Sequence, residues 1–151
     1  MASLVGRPAP DFTLPSTSGQ DVRLSSYRGQ ANVLIAFFPL AFTSTCTAEL
    51  CAFTEDFGRF ANADTAVLPI SVDAVPSLKE FKAKERISVE LLSDFKRAAA
   101  RAWGVLDEDK FFARRSYFLV DKTGTVRWAH VEENNGQRRQ DDELLAQIRN
   151  L

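Results

Sequence analysis

Two apolar runs, residues 32–38 ended by Pro39 and residues 66–72 rich in β-branched side chains, bracket a stretch with a different period. Within that stretch, residues 47–61, Leu50, Phe53, Phe57 and Phe60 recur at spacings of three and four, which places all four on one helical face. The reading is strand, helix, strand, and a crossover of this length suits parallel neighbours. This βαβ unit constrains the chain to an α/β architecture.

The remaining segments extend that core. Phe12-Thr13-Leu14 and Asp21-Val22-Arg23-Leu24 flank Ser16-Thr17-Ser18-Gly19-Gln20, whose composition is that of a hairpin loop, and these short strands are expected to extend the sheet at the N-terminus. Pro76-Ser77-Leu78-Lys79-Glu80 opens a further helix, with Ser77 and Glu80 in capping-box spacing. After Leu91-Leu92 as a short strand, residues 94–103 read as a brief helix stopped by Gly104. Residues 117–120 and 126–130 form a hairpin around Asp121-Lys122-Thr123-Gly124-Thr125. Residues 141–151, with acids in the first turn and apolar Leu144, Leu145 and Ile148, make a closing amphipathic helix. Residues 132–140 read as a plain polar loop.

A chain of 151 residues with no repeat, low-complexity tract or linker is expected to be one domain, residues 1–151. Nineteen basic against twenty acidic side chains leave a formal charge of −1. That balance gives no basic excess to attract nucleic acid or an anionic membrane, so small molecules or proteins are the expected partners. Met1-Ala2-Ser3-Leu4-Val5-Gly6 lacks the basic and apolar regions of a secretory signal, and no apolar run approaches the roughly 20 residues that span a bilayer. The expected location is cytoplasmic, where a permanent disulfide is disfavoured and a transient catalytic one is not.

The chain's two cysteines, Cys46 and Cys51, both follow the first apolar run directly. A thiol just past a strand end, on the first turn of the next helix, lies where N-terminal N–H groups favour the reactive thiolate. Pro39, Thr43 and Cys46 form P-x-x-x-T-x-x-C, and on this motif the chain resembles the peroxiredoxins. The resemblance continues through Gly6-Arg7-Pro8-Ala9-Pro10-Asp11-Phe12-Thr13-Leu14, Leu91-Leu92-Ser93-Asp94 and Arg115-Ser116-Tyr117-Phe118-Leu119-Val120-Asp121, in order over nearly the whole chain. A second cysteine five residues after the first is similar to the bacterioferritin-comigratory, or Q-type, group. Phe38-Pro39-Leu40-Ala41-Phe42-Thr43 reads more like the E-type group.

The resemblance implies a thioredoxin-like fold, a central mixed sheet flanked by helices, and reduction of hydrogen peroxide and organic hydroperoxides without metal, haem or flavin. It implies Cys46 as the peroxide-attacking thiol, Thr43 and Arg115 as the groups that bind and polarise the peroxide, and Pro39 as a shaper of the pocket. Arg114 is the neighbouring alternative to Arg115, and strand alternation would turn the two to opposite faces. Glu49 matches a family acid that pairs with an arginine, but a first-turn acid is ordinary on any helix, and it is left outside the primary site. Cys51 is the implied resolving thiol, with thioredoxin or a similar dithiol as reductant, and the two groups imply a monomer and a homodimer respectively. Five residues along a regular helix separate Cα atoms by about 8.6 Å, beyond the approximately 7 Å limit for a disulfide. If both cysteines lie on one helix, that helix must unwind locally for them to join.

Other readings stand beside this one. Free cysteine is most often a small buried hydrophobe, an alternative with weight for Cys51 between Leu50 and Phe53. His130 could serve a cysteine hydrolase as base, but no hydrolase signature accompanies it. Two cysteines and one histidine fall short of a zinc site. Trp103, Trp128 and the twelve phenylalanines read as core and pocket lining; Phe42, between Pro39 and Thr43, fits the core, the pocket mouth or a partner subunit. A general thiol–disulfide oxidoreductase lacks its C-x-x-C motif here. A redox-sensing binding module would be oxidised once and change partners, whereas an enzyme would turn over.

Overall fold

The computed structural model describes residues 3–151; Met1 and Ala2, on which the reading of the N-terminal leader partly rests, lie outside the described residues. Asn32–Phe37 (β3) is buried almost end to end and lies at the centre of a five-stranded sheet. On one side it pairs in parallel with Thr65–Ser71 (β4), which pairs in parallel with Leu92–Ser93 (β5). On the other it pairs antiparallel with Ser116–Val120 (β8), followed by antiparallel Val126–Val131 (β9). The sheet is therefore mixed, in the order β5-β4-β3-β8-β9.

Because strand side chains alternate, a sheet covered on both faces must be apolar at successive positions. Val33, Ile35 and Phe37 enter one core with Phe118, Val120 and Trp103, while Leu34, Ala36 and Phe38 enter the other with Tyr117 and Leu119. Helices Ser44–Glu55 (α1), Val75–Glu85 (α3) and Asp141–Arg149 (α5) cover the second face through Leu50, Phe53, Leu78, Phe81, Leu144 and Ile148. The short helix Ala98–Ala102 (α4) contributes Ala99 and Ala100 to the first. Gly104 follows α4 with φ +74°, the left-handed conformation of a helix stop.

The structure corrects several expectations. The helix expected over residues 47–61 is two: α1 ends at Glu55, and Phe57–Asn62 (α2) follows a break at Asp56. That break turns Phe57 out of the apolar row, leaving it half exposed while Phe60 stays buried. The Ser77–Glu80 capping box does not form, because α3 starts two residues earlier at Val75 behind Ala74, placing Ser77 inside the first turn. The N-terminal hairpin, Thr13–Pro15 (β1) with Asp21–Arg23 (β2), is a separate two-stranded sheet touching the main one through a Ser16–Leu92 bridge. A further hairpin, Leu106–Asp107 (β6) with Phe112–Ala113 (β7), precedes β8. Among the described residues, no helix is long and apolar enough to cross a membrane.

Candidate active site

The loop after β3 delivers Cys46 to the third position of α1. Pro39 is buried, Ala41 donates its N–H to Asp73 Oδ2 at 2.8 Å, and Ser71 Oγ donates to the same oxygen at 2.7 Å. Asp73 thereby ties the loop to the end of β4. Phe42 then takes φ +68°, a left-handed conformation that non-glycine residues adopt only when surroundings impose it. Its half-exposed ring packs on Phe81 at 5.1 Å, at the surface beside the site.

Thr43 is the N-cap residue of α1, yet its side chain does not cap the helix; its hydroxyl donates to the Leu40 carbonyl at 2.9 Å. The Ser44, Thr45 and Cys46 amides of the first turn therefore have no intrahelical acceptor, the arrangement that receives anions. Cys46 Sγ is fully buried at this helix end.

Arg115 comes from the residue preceding β8 and reaches α1 from across the sheet. Its Nη2 donates to Cys46 Sγ at 2.9 Å and its Nη1 to Glu49 Oε1 at 2.8 Å. Arg115 thus sets a positive charge and a hydrogen-bond donor directly on the sulfur. Arg114, one residue earlier, points away and is exposed, with Nη2 on the Glu132 carbonyl at 3.4 Å. The two arginines thus face opposite ways, although both lie in the bend between β7 and β8 rather than in a strand.

Glu49, left outside the primary site by sequence reasoning, is fully buried against it. Tyr117 donates its hydroxyl to Glu49 Oε2 and accepts the Arg139 N–H at 3.1 Å. Burial pushes the Glu49 carboxyl above its ordinary value, while Arg115 and Tyr117 favour its anion. Burial likewise opposes the Arg115 charge, but Glu49 and Cys46 outweigh it and hold the guanidinium protonated. Burial and the Glu49 charge raise Tyr117, which remains a phenol that donates.

The segment 132–140, expected to be a plain loop, is a strap over this cluster. Asn135 accepts two Arg115 N–H groups, and buried Glu132 takes Arg139 Nε at 2.8 Å and His130 Nε2 at 3.1 Å. His130 also stacks on Trp128, so its contacts are structural and none reaches Cys46. Cys51 is free and half-buried, five residues along the same α1. Burial, then Glu85 and Glu55, push its thiol up. Among the described residues, no group of three or more histidine, cysteine or acidic side chains could hold a metal ion.

A buried sulfur at a helix N-terminus, held by an ion-paired arginine behind a P-x-x-x-T-x-x-C loop, is the arrangement of a thiol-dependent peroxidase. Residues 5–129 match the AhpC/TSA family. The chain is 42% identical over 131 residues to alkyl hydroperoxide reductase E of Mycobacterium tuberculosis, covering 85% of this chain and 86% of that one. It is 34% identical over 158 residues to the chloroplastic 2-Cys peroxiredoxin BAS1 of Hordeum vulgare, covering 98% and 75%. The solved reduced 2-Cys peroxiredoxin of Plasmodium vivax superposes with a TM-score of 0.91 at 29% identity, covering 98% of this chain and 81% of that one. Peroxidoxin BcpB of M. tuberculosis gives 0.87 at 28% identity, covering 99% of each. The chain belongs to the AhpC/TSA family and is a peroxiredoxin, an oxidoreductase that reduces peroxides through a thiol.

Proposed function

We propose that Cys46 is the peroxidatic nucleophile, acting on hydrogen peroxide and organic hydroperoxides, and that Cys51 resolves its oxidised form for recycling by thioredoxin or a similar dithiol. The observation that carries this reading is the 2.9 Å contact from Arg115 Nη2 to Cys46 Sγ at an uncapped helix N-terminus. The Cys46 thiolate attacks one peroxide oxygen; the S–O bond forms as the O–O bond breaks, and the departing oxyanion takes up a proton. Charge develops on the oxygens in that step, and preorganised donors stabilise it. Arg115 and the free first-turn amides supply the donors, the Thr43 hydroxyl oxygen, its proton given to the Leu40 carbonyl, can accept from the peroxide and orient it, and Pro39, with no N–H, shields the sulfur's surroundings.

The sulfenic acid then condenses with the Cys51 thiol, forming an S–S bond and releasing water, and an external dithiol returns two electrons and two protons. Both cysteines lie on the regular helix α1, so their Cα atoms stand about 8.6 Å apart by helix geometry and α1 must open between them. Two free thiols in such a cycle suit a reducing, cytoplasmic location. We read residues 1–151 as one domain, acting as a monomer or a homodimer without metal or organic cofactor.

Intact mass after one equivalent of hydrogen peroxide tests the cycle. Loss of two hydrogens within one chain supports resolution by Cys51. Gain of one oxygen makes the enzyme one-cysteine in practice, and an unchanged mass overturns Cys46 as the nucleophile. Cys51→Ser is expected to retain the first oxidation but lose turnover with thioredoxin.

A further inference from the structure

We infer that Asn135 is a positioning residue for peroxide reduction, acting through Arg115; the inference rests on the proposed role of Arg115. Its side-chain Oδ1 accepts the Arg115 backbone N–H at 3.1 Å, and its own carbonyl accepts Arg115 Nε–H at 3.2 Å. One residue therefore grips Arg115 at both the root and the neck of its side chain. With Nε held by Asn135 and Nη1 by Glu49, the planar guanidinium has one orientation left, and it directs Nη2 at Cys46 Sγ. A flexible arginine would lose rotamer freedom each time it met the developing charge. Here that ordering is complete before the peroxide arrives.

The strap is built to hold Asn135 in place. Asn134 Oδ1 accepts the Gly136 N–H at 3.0 Å and the Asn134 carbonyl accepts Gln137 N–H at 3.2 Å, closing a tight turn around Asn135. On one side, Glu132 N–H donates to the Arg115 carbonyl at 2.9 Å. On the other, Arg139 N–H donates to Tyr117 Oη at 3.1 Å. Thr45 Oγ1, on the first turn of α1, reaches the Gly136 carbonyl at 3.4 Å. The strap thus references the arginine, the helix carrying the nucleophile and the tyrosine under Glu49 to one another. Asn is well matched to this place: its amide oxygen accepts without adding charge that would compete with Cys46 for the guanidinium.

The test is a double-mutant cycle on the second-order rate of Cys46 oxidation by hydrogen peroxide, followed by stopped-flow tryptophan fluorescence, with thermal unfolding in parallel. Asn135→Ala is expected to slow oxidation about tenfold, part of the roughly 100-fold that a 1 Å displacement can cost. In the Arg115→Gln background it should slow oxidation less than twofold further, because the group it positions is gone. Asn135→Ser, which keeps an uncharged side-chain oxygen as acceptor for the Arg115 N–H, should recover part of the rate and guards against an alanine variant that fails to fold. An equal loss from Asn135→Ala in both backgrounds, or no loss in the parent, overturns the inference. An Arg115→Gln variant that keeps the parental rate instead overturns the role of Arg115 itself, and the inference with it.

Discussion

Glu49 holds two buried donors, one on Arg115 and one on Tyr117, and this decides what its loss would do. Its carboxylate takes Arg115 Nη1 through one oxygen and the Tyr117 hydroxyl through the other, all within a fully buried cluster. Glu49→Ala leaves Arg115 Nη1 buried without its carboxylate, and removal of one partner from a buried ion pair costs about 3–5 kcal/mol. Tyr117→Phe strands only neutral or hydrogen-bonded groups, the second Glu49 oxygen and the Arg139 N–H, and should cost about 1–3 kcal/mol. Urea unfolding of the reduced proteins checks the order; a Tyr117→Phe loss as large as that of Glu49→Ala would mean that the ion pair is not what the cluster protects. The sequence could locate Cys46, Thr43, Pro39 and Arg115, since a motif and a strand register carry them. It could not weigh Glu49, because an acid early in a helix is commonplace and its meaning depends on partners 66 and 68 residues away. Asp73 and Asn135 were invisible for the same reason, since their contacts with Ala41 and Arg115 lie 32 and 20 residues away in the chain.

The break between α1 and α2 shows what periodicity alone leaves out. Leu50, Phe53, Phe57 and Phe60 fit one helical face, yet the chain turns at Asp56, whose carboxyl lines the same hollow as Asp141 in the first turn of α5. Asp56 also takes Arg59 at 3.3 Å, and Gly58 follows, so the residues around the break favour a helix end over continuation. Buried Asp141 has no hydrogen-bond partner on either carboxyl oxygen, and two adjacent carboxyls hold one proton more readily than two charges. Burial, then the neighbouring Asp56 carboxyl, and also Glu49, raise Asp141 from 3.8 to about 7, against the opposing charge of Arg138. A carboxyl raised in the folded state contributes its stability below the unfolded pKa and loses it as pH rises through the folded one. Asp141→Asn cannot ionise, so its melting temperature relative to the parent should climb between about pH 4 and pH 8. Calorimetry giving parallel curves for the two proteins would show that no proton is shared at this junction. The strands, α5 and the β8–β9 hairpin were legible because burial writes itself into strand and helix period. The break, the β6–β7 hairpin and the strap were not, since each is set by polar contacts between elements far apart in sequence.

At the scale of the molecule, the proposed cycle sets the catalytic helix against the core it helps to build. Leu50 and Phe53, both fully buried on α1, cover the sheet face shared with α3 and α5, and they lie on either side of Cys51. Joining Cys46 to Cys51 requires that stretch to leave its helical register. Burial of an aliphatic or aromatic side chain is worth roughly 1.5–3 kcal/mol, so freeing both costs about 3–6 kcal/mol. Closing a loop of about six residues with a disulfide returns only about 2 kcal/mol. The balance falls on the side of the reduced protein, and the disulfide should act opposite to a structural crosslink. The oxidised protein is expected to melt below the reduced one and to exchange its amide hydrogens faster across residues 43–56, with the central strands β3 and β8 still protected. Cys51→Ser, oxidised to the sulfenic acid without crosslinking, should keep the slow exchange of the reduced protein. An oxidised protein that melted higher, with residues 43–56 still protected, would mean that the two cysteines meet without opening α1, and the helix would then have to be distorted in the reduced state as well.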